Sequence, residues 1–405
     1  MKKISTIPTP HYSEIQDFLN RNNIIATHQQ ANDVLAYLLP LKDEWKEYYK
    51  VVDSFVFPHI YESIACSFQT LGKYKEAISF LEECLKVIES ATEYQWLFNV
   101  KSQLYQLLTI LYFEQDDIET AKKVLNDSIF YFLLQCNHTH YDNFDFYSFR
   151  PLSDYLLDSI TNNYITVTDP QEFNDPVDPP LLSHLDYLIN NTENTKDKQL
   201  YNLQKEIYGK VRIRCLLRTL PLPLKEGRDL HERDANERER NLTTMWAYYA
   251  DNHKGICIKY VLPKELTAHE TNKDSVLLLH EVSYQQYYEL KKDAFNFQEA
   301  LFSKGLFWQH EHESRLVYFH RYKDDKFINI DIPNDCITEI YIGVRTTLLD
   351  KLKIKEAIKD KPNIKLFQMK VSDTNLFQLE AESIDRSAWL NDKDEKIALA
   401  TQQAY

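Results

Sequence analysis

The sequence predicts two folds in one chain: an all-α helical repeat in front, followed by an α+β domain with a mixed, partly antiparallel sheet. Two observations carry this. Between Pro58 and Glu89 apolar residues recur at helical spacing in two blocks, Ile60-Ile64-Phe68 and Ala77-Phe80-Leu81-Leu85-Ile88, interrupted at Leu71-Gly72-Lys73-Tyr74. Past residue 145 the pattern changes to short β-rich runs bounded by turn signals, with helical stretches between them in no strict βαβ order.

The front blocks form a helix pair. Ala65 and Ala77 are small enough to let two helices approach, Gly72 sits in the turn and Tyr74 opens the second helix, a pattern that resembles the tetratricopeptide repeat. Shifted 44 residues on, Thr109, Asp116, Ile118 and Ala121 take the places of Ala65, Gly72, Tyr74 and Ala77. That offset exceeds the usual spacing of about 34, so lengthened helices are expected around Ile88 to Leu97. Stacked repeats need a third partner, and the stretch from Ala26 to Phe57, with Trp45, Tyr48 and Tyr49, supplies it. The repeats either brace the second domain or recognise a protein or peptide partner.

Composition narrows the function. A chain of 405 residues with 43% hydrophobic content is long enough for two cores and apolar enough to fold. Its formal charge of -14 argues against general nucleic-acid binding, which draws its affinity from clustered Lys and Arg. Six cysteines without a CxxC pair read as small core residues in a reducing, cytoplasmic setting rather than as a zinc site or a disulfide framework. No apolar run follows Lys2-Lys3, and none anywhere approaches the length of a membrane span, so neither a secretion signal nor a membrane helix is expected. None of the six glycines stands in a phosphate-binding loop, which removes Walker and Rossmann fingerprints.

The expected boundaries are 1–136 for the repeats, 137–145 for a polar linker, 146–385 for the α+β domain and 386–405 for a polar tail. Strands are expected at Phe146–Phe149, Tyr164–Thr168, Val211–Leu217, Gly255–Tyr260, Val276–Val282, Arg315–His320, Phe327–Ile330, Ile337–Ile342 and Ile364–Lys370. Helices are expected at Leu152–Ser159, Leu181–Tyr208, Tyr287–Ser303 and Leu348–Lys359. The charged run Lys225–Arg240 is a solvated segment or a lid over a cleft.

Four clusters are candidates for chemistry. An aromatic strand ends in Phe149-Arg150, and arginine offers a planar fork for phosphate or carboxylate. A second strand starting at Tyr164 runs into Phe173-Asn174-Asp175-Pro176, a turn in which Asx capping is the plain alternative to ligand contact. Met245 to Gly255 contains Trp246, Tyr249 and His253. The last, Trp308 to Tyr318, contains Glu311, Glu313 and Arg315; on an extended backbone the two glutamates face one way. Such a pair polarises a sugar hydroxyl and stabilises an oxocarbenium-like centre, whereas a Glu–Arg ion pair that anchors the strand is the rival reading. The spacing of His310, His312 and the glutamates matches no standard zinc signature, so no metal is expected.

Taken in order, Phe149-Arg150, Phe173-Asn174-Asp175-Pro176, Met245 to Gly255, Trp308 to Arg315 and Ile340-Tyr341-Ile342-Gly343 resemble the bacterial domain-of-unknown-function family 2971. The family's usual Cys-Phe-Ser strand here reads Arg214-Cys215-Leu216-Leu217, and the charged insert after it is long. An early arginine, a tyrosine-bearing second strand and a late Glu-x-Glu are also similar to the ADP-ribosyltransferase layout. That likeness implies NAD as the cofactor consumed, Arg150 as phosphate holder, Tyr164 or Tyr249 as stacking group, Glu313 as catalytic carboxylate and Glu311 as its assistant. Asn174, Asp175, Trp246, His253, Trp308 and Arg315 complete the expected ligand-binding set. The implied function is an ADP-ribosyltransferase-like or other NAD-consuming enzyme whose repeats recognise a partner, in stress or phage defence. The alternative is a non-enzymatic ligand-binding or scaffold protein acting through its repeats.

Overall fold

A computed structural model describes residues 12–52, 56–89, 95–136, 145–175, 177–218, 243–263, 266, 270–290, 295–376 and 378–391. Residues 137–144 of the expected linker, the run Lys225–Arg240, Pro176 and residues 392–405 lie outside this set. The chain divides into two compact units, residues 1–136 with 193–208, and residues 137–192 with 209–405.

The first unit is helical. Its elements are α1 (Tyr12–Arg21), α2 (His28–Leu38), α3 (Lys42–Val52), α4 (Val56–Thr70), α5 (Tyr74–Glu89), α6 (Gln95–Glu114) and α7 (Ile118–Cys136). Both repeat turns close alike. Gly72 takes φ +70°, with Lys73 N–H donating to the Phe68 carbonyl at 2.8 Å. Forty-four residues on, Asp116 takes φ +59° and Asp117 N–H donates to the Tyr112 carbonyl at 3.0 Å. This is the left-handed helix cap that glycine adopts freely and aspartate tolerates. Ala65, Ala77 and Ala121 are fully buried, as close helix packing requires. The extra length of the second repeat lies within its helices, 20 and 19 residues against 15 and 16. α2 and α3, from the stretch expected to complete the stack, bury Val34, Leu38 and Trp45 in the same core.

One expectation is corrected here. The stretch 181–208 is two helices, α9 (Leu181–Asn191) and α10 (Thr195–Tyr208). Thr192 turns extended at the end of α9, and the Asn194 side chain accepts the Lys196 N–H at 2.9 Å. α10 groups with the first unit, where Glu206 meets Lys122 of α7 at 2.9 Å.

The second unit is built on a sheet. Its strands are β1 (Asp145–Arg150), β2 (Tyr164–Thr168), β3 (Arg212–Leu217), β4 (Ile256–Val261), β5 (Glu270–Asn272), β6 (Ser275–Glu281), β7 (Ser283–Gln285), β8 (Ser303–Gly305), β9 (Glu313–His320), β10 (Phe327–Asp331), β11 (Ile337–Ile342), β12 (Lys365–Val371) and β13 (Leu379–Ile384). Eleven of them, among the described residues, form one sheet in the order β13-β12-β11-β4-β1-β3-β9-β6-β5, with β2 attached to β3 and β10 to β2. Neighbours are antiparallel except β11 and β12, whose parallel pairing needs a crossover and receives it from the helix Leu348–Ile358. β7 and β8 make a separate parallel pair.

Strand alternation gives the sheet two apolar faces. One carries Phe146, Leu216, Ile258, Leu316 and Ile340 against α8 (Asp154–Asn162) and the crossover helix. Tyr147, Phe149, Leu217, Cys257 and Tyr341 form the other, against Met245 and Trp246 of a helix over 243–249. Two local expectations differ from the structure. Among the described residues of the helix expected over 287–303, Phe297–Phe302 is helical, capped by Asn296 and ended where Ser303–Gly305 pairs with β7. The expected polar tail begins with a helix, Arg386–Asn391, capped by Asp385, whose Trp389 and Leu390 pack on the core.

Gly255 fixes the approach of β4 to the end of β1. A Cβ there would lie 2.1 Å from the Arg150 carbonyl oxygen. Gly255→Ala should therefore destabilise the second unit by about 1–3 kcal/mol through forced backbone movement; an unchanged urea midpoint would show that β1 gives way freely.

Candidate active site

The sheet opens between β1 and β3. β1 is joined to β4 along six residues and β3 to β9 along six, yet among the described residues β1 and β3 share one rung, Tyr147 opposite Leu217. β2 touches β3 at the single pair Thr168 and Ile213. Where the strands part lies a cavity of about 350 Å³, lined by side chains of both strand parities. Alternation alone sets Arg150 and Glu313 on opposite faces of a continuous ladder. Because the ladder lapses, both line this one cavity.

One wall is cationic. Arg150 ends β1 and Arg214 lies within β3, where they would be opposite each other if the rung continued. Arg214 is 8% exposed; its Nη2 donates to Ser148 Oγ at 2.7 Å, while its Nε has no hydrogen-bond partner among the described residues. Among the described residues no carboxylate pairs with either guanidinium. Repulsion from Arg214, together with burial, holds Arg150 below the ordinary arginine value, and burial lowers Arg214. An arginine does not give up its proton in this range, so the repulsion is expressed as affinity for an anion.

The other wall is acidic. Lys304 Nζ donates to Glu311 Oε2 and Glu313 Oε2, each at 2.6 Å, and meets Asp178 Oδ2 at 3.1 Å. Arg315, wholly buried, donates through Nε to Glu313 Oε1 at 2.8 Å, and through its Nη groups to Asp178 Oδ1 and the Leu301 carbonyl. Tyr249 O–H donates to Glu311 Oε1 at 2.6 Å. Three carboxylates against two cations leave one negative charge in excess when all are ionised. Burial pushes the Glu313 carboxyl up, but Arg315 and Lys304 together overcome it and hold it at about 2. For Glu311 burial prevails over Lys304, assisted by the Glu313 charge, and the carboxyl stays above its usual range. Glu311 is thus the group placed to exchange a proton, and Glu313 a fixed anion. Cys215 also lines the cavity, but burial raises its thiol far from nucleophilic range.

The two glutamates converge by a different route from the one expected. Glu311 ends a 3-10 helix (Leu306–Glu311), His312 turns left-handed at φ +45°, and Glu313 begins β9. A left-handed residue between them, rather than an extended backbone, brings both carboxylates onto Lys304.

The remaining expected residues disperse. Asn174 lines the cavity with Phe149 and Phe173. Tyr164 does not; its hydroxyl donates to Asp158 at 2.7 Å. Trp246 is buried edge-on against Phe149, 5.2 Å between ring centres. His253 belongs to the left-handed turn before β4, where its carbonyl accepts the Arg345 N–H at 2.9 Å. Asp175 and Trp308 line a neighbouring cavity of about 330 Å³ that shares Asp178 and Lys304 with the first. Arg315 stands behind Glu313 without lining either cavity. Arg214, Ser148, Lys304 and Asp178 were missed as site residues. The signal for Arg214 was available: Arg212 and Arg214 alternate with apolar residues in a strand, so both point into protein.

Among the described residues no group of three or more His, Cys, Asp or Glu side chains is placed to hold a metal ion, and no helix is long and apolar enough to cross a membrane. No curated protein and no solved structure matches the chain. Residues 58–90 match the family model of the tetratricopeptide repeat, on the pair α4–α5, so the first unit carries a helical repeat of the kind that commonly mediates protein interaction.

Proposed function

We propose that the second unit is an NAD-consuming enzyme of ADP-ribosyltransferase-like chemistry, after the transferase layout that its early arginine and late Glu-x-Glu resemble. One observation carries the reading: a single cavity has on one side two guanidiniums that no carboxylate pairs among the described residues, and on the other an excess carboxylate. Three residues along β3 separate the level of Arg214 from that of Glu313, roughly 10 Å at strand rise. NAD matches such a polarity, with a diphosphate anion and a nicotinamide cation a ribose apart.

The chemistry follows from the charges. The bond between ribose C1′ and the nicotinamide nitrogen breaks, its electron pair leaving with neutral nicotinamide. The positive charge developing on the ribose faces the carboxylate wall. A water or acceptor hydroxyl then bonds to C1′ and gives its proton to Glu311. Glu313 is assigned as a positioning residue, which exchanges the roles that the sequence likeness implied. The Phe149, Phe173 and Tyr249 rings supply faces for the ligand. The repeats take a protein or peptide partner, the trigger in a stress or phage-defence setting.

The test is nicotinamide release from NAD by the full chain. Glu311→Gln should slow it roughly 100- to 10,000-fold, the range of a general base. Equal rates would remove Glu311 from the mechanism, and no release from the wild type would remove the NAD reading. The buried Glu313–Arg315 pair favours a second reading, a non-enzymatic ligand-binding domain. It predicts NAD binding without turnover.

A further inference from the structure

Tyr284 lines neither cavity, yet its hydroxyl meets the acidic wall at its turning point. β6 runs beside β9 as far as the rung of Glu281 with Ser314, and one residue further on Val282 N–H donates to the Glu313 carbonyl at 3.1 Å. In a regular antiparallel ladder Val282 would return that bond through its own carbonyl, accepting the Glu313 N–H. Instead the Glu313 N–H donates to the Tyr284 hydroxyl oxygen at 2.8 Å. The peptide so held is the one that follows His312, the left-handed residue on which the convergence of Glu311 and Glu313 depends.

The cation of the wall comes from the same rung. In the parallel pair β7–β8, Tyr284 stands opposite Lys304. Lys304 Nζ grips the Glu313 carboxylate and Glu311 beside it, each at 2.6 Å, while Tyr284 grips Glu313 at its peptide. Gln285 Nε2 donates to Ser303 Oγ at 3.1 Å, so side chains tie the two strands together as well. A two-stranded pair is marginal by itself, and these contacts with Glu311 and Glu313 fasten it in place. We infer that Tyr284 is a positioning residue for the two glutamates: from the rung it shares with Lys304, it holds the His312–Glu313 peptide in the orientation that delivers both carboxylates to one lysine. The inference goes beyond the NAD reading and rests on it only for the rate effect given below.

The groups around the two glutamates set what loss of the Tyr284 hydroxyl should do. Glu313 is faced by Arg315, Lys304, Asp178, Glu311, Cys215 and Tyr284, and Glu311 by Lys304, Glu313, Tyr249 and Tyr284. Burial holds Glu311 up and Lys304 draws it down. Once the peptide is free to turn, the grip of Lys304 on Glu311 weakens while the burial remains. The experiment follows the Glu311 titration by NMR in the full chain, isotopically labelled at the glutamate carboxyl carbons, with Glu311→Gln assigning the resonance. Tyr284→Phe should move that titration to higher pH. Tyr155→Phe, which gives up hydrogen bonds to Thr166 and Asn329 in the same unit, should leave it at the wild-type position. Nicotinamide release by Tyr284→Phe should fall about 100-fold in kcat with KM little changed, the cost of a misplacement of about 1 Å, and its rising limb should move with the titration. An unmoved or lowered Glu311 titration in Tyr284→Phe, or an equal shift in Tyr155→Phe, overturns the inference. A raised titration in a protein that releases no nicotinamide keeps the role of Tyr284 and removes the NAD reading. Undiminished release by Tyr284→Phe with an unmoved titration does the reverse.

Discussion

Arg315→Ala is expected to destabilise the second unit by about 3–5 kcal/mol, the largest stability effect of any single change considered for this chain. Its guanidinium is wholly buried and holds Glu313, Asp178 and the Leu301 carbonyl at once. Removing it leaves three buried carboxylates with Lys304 as their shared cation, and a backbone oxygen without its donor. Since domains are stable by about 5–15 kcal/mol, a loss of this size brings the unit close to unfolding. The exposed pair Lys326–Glu172 provides the contrast: Lys326→Ala should change stability by less than about 1 kcal/mol. Urea unfolding of both variants checks this. If Arg315→Ala shifts the midpoint no more than Lys326→Ala, the acidic wall is not organised around Arg315. Removing Glu313 together with Arg315, by Glu313→Leu with Arg315→Met, should recover part of the loss, since a whole ion pair is less costly to replace than half of one.

How much of this was legible follows from what each feature depends on. Repeat geometry is local: small residues at 65 and 77 and a left-handed turn at 72 recur at 109, 121 and 116, and the helices follow. Strands were legible for the same reason. Tyr164–Thr168 and Ile337–Ile342 are β-branched and aromatic runs between turn residues, and they form β2 and β11 with those bounds. Short β7, β8 and the late β13 were not legible, since three-residue pairings and a polar edge strand carry little periodicity. In the site, Arg150, Glu311 and Glu313 announce themselves by residue type beside aromatic strands. Lys304 and Asp178 do not. Their importance arises only when residues 178, 304, 311, 313 and 315 converge, a matter of sheet topology that no local window contains. The same holds for the cavity itself, which lies where the β1–β3 ladder, a single rung among the described residues, gives out.

Lys304→Met should cause the largest change in pH behaviour. Lys304 lowers both Glu311 and Glu313, and without it Glu313 and Asp178 keep Arg315 while Glu311 loses the cation it is paired with. Glu313 sits at about 2 in the folded protein, below the unfolded value of about 4.3. Its stabilising contribution is therefore present above pH 4.3 and lost as pH falls toward 2. Glu311 has the opposite sign. Raised on folding, it contributes favourably below about 4.3, where it carries its proton in both states, and loses that contribution as pH rises through its folded value. Removing the lysine raises Glu311 further, so the stability deficit of Lys304→Met should be small near pH 4 and widen toward pH 8. The rising limb of nicotinamide release should move to higher pH, with about 100-fold loss at neutrality, whereas Lys304→Arg, which keeps the charge, should retain the wild-type limb. Melting temperatures across that pH range test the electrostatic argument independently of catalysis. A deficit constant with pH would mean that Lys304 acts through packing, and that the acidic wall does not tune Glu311.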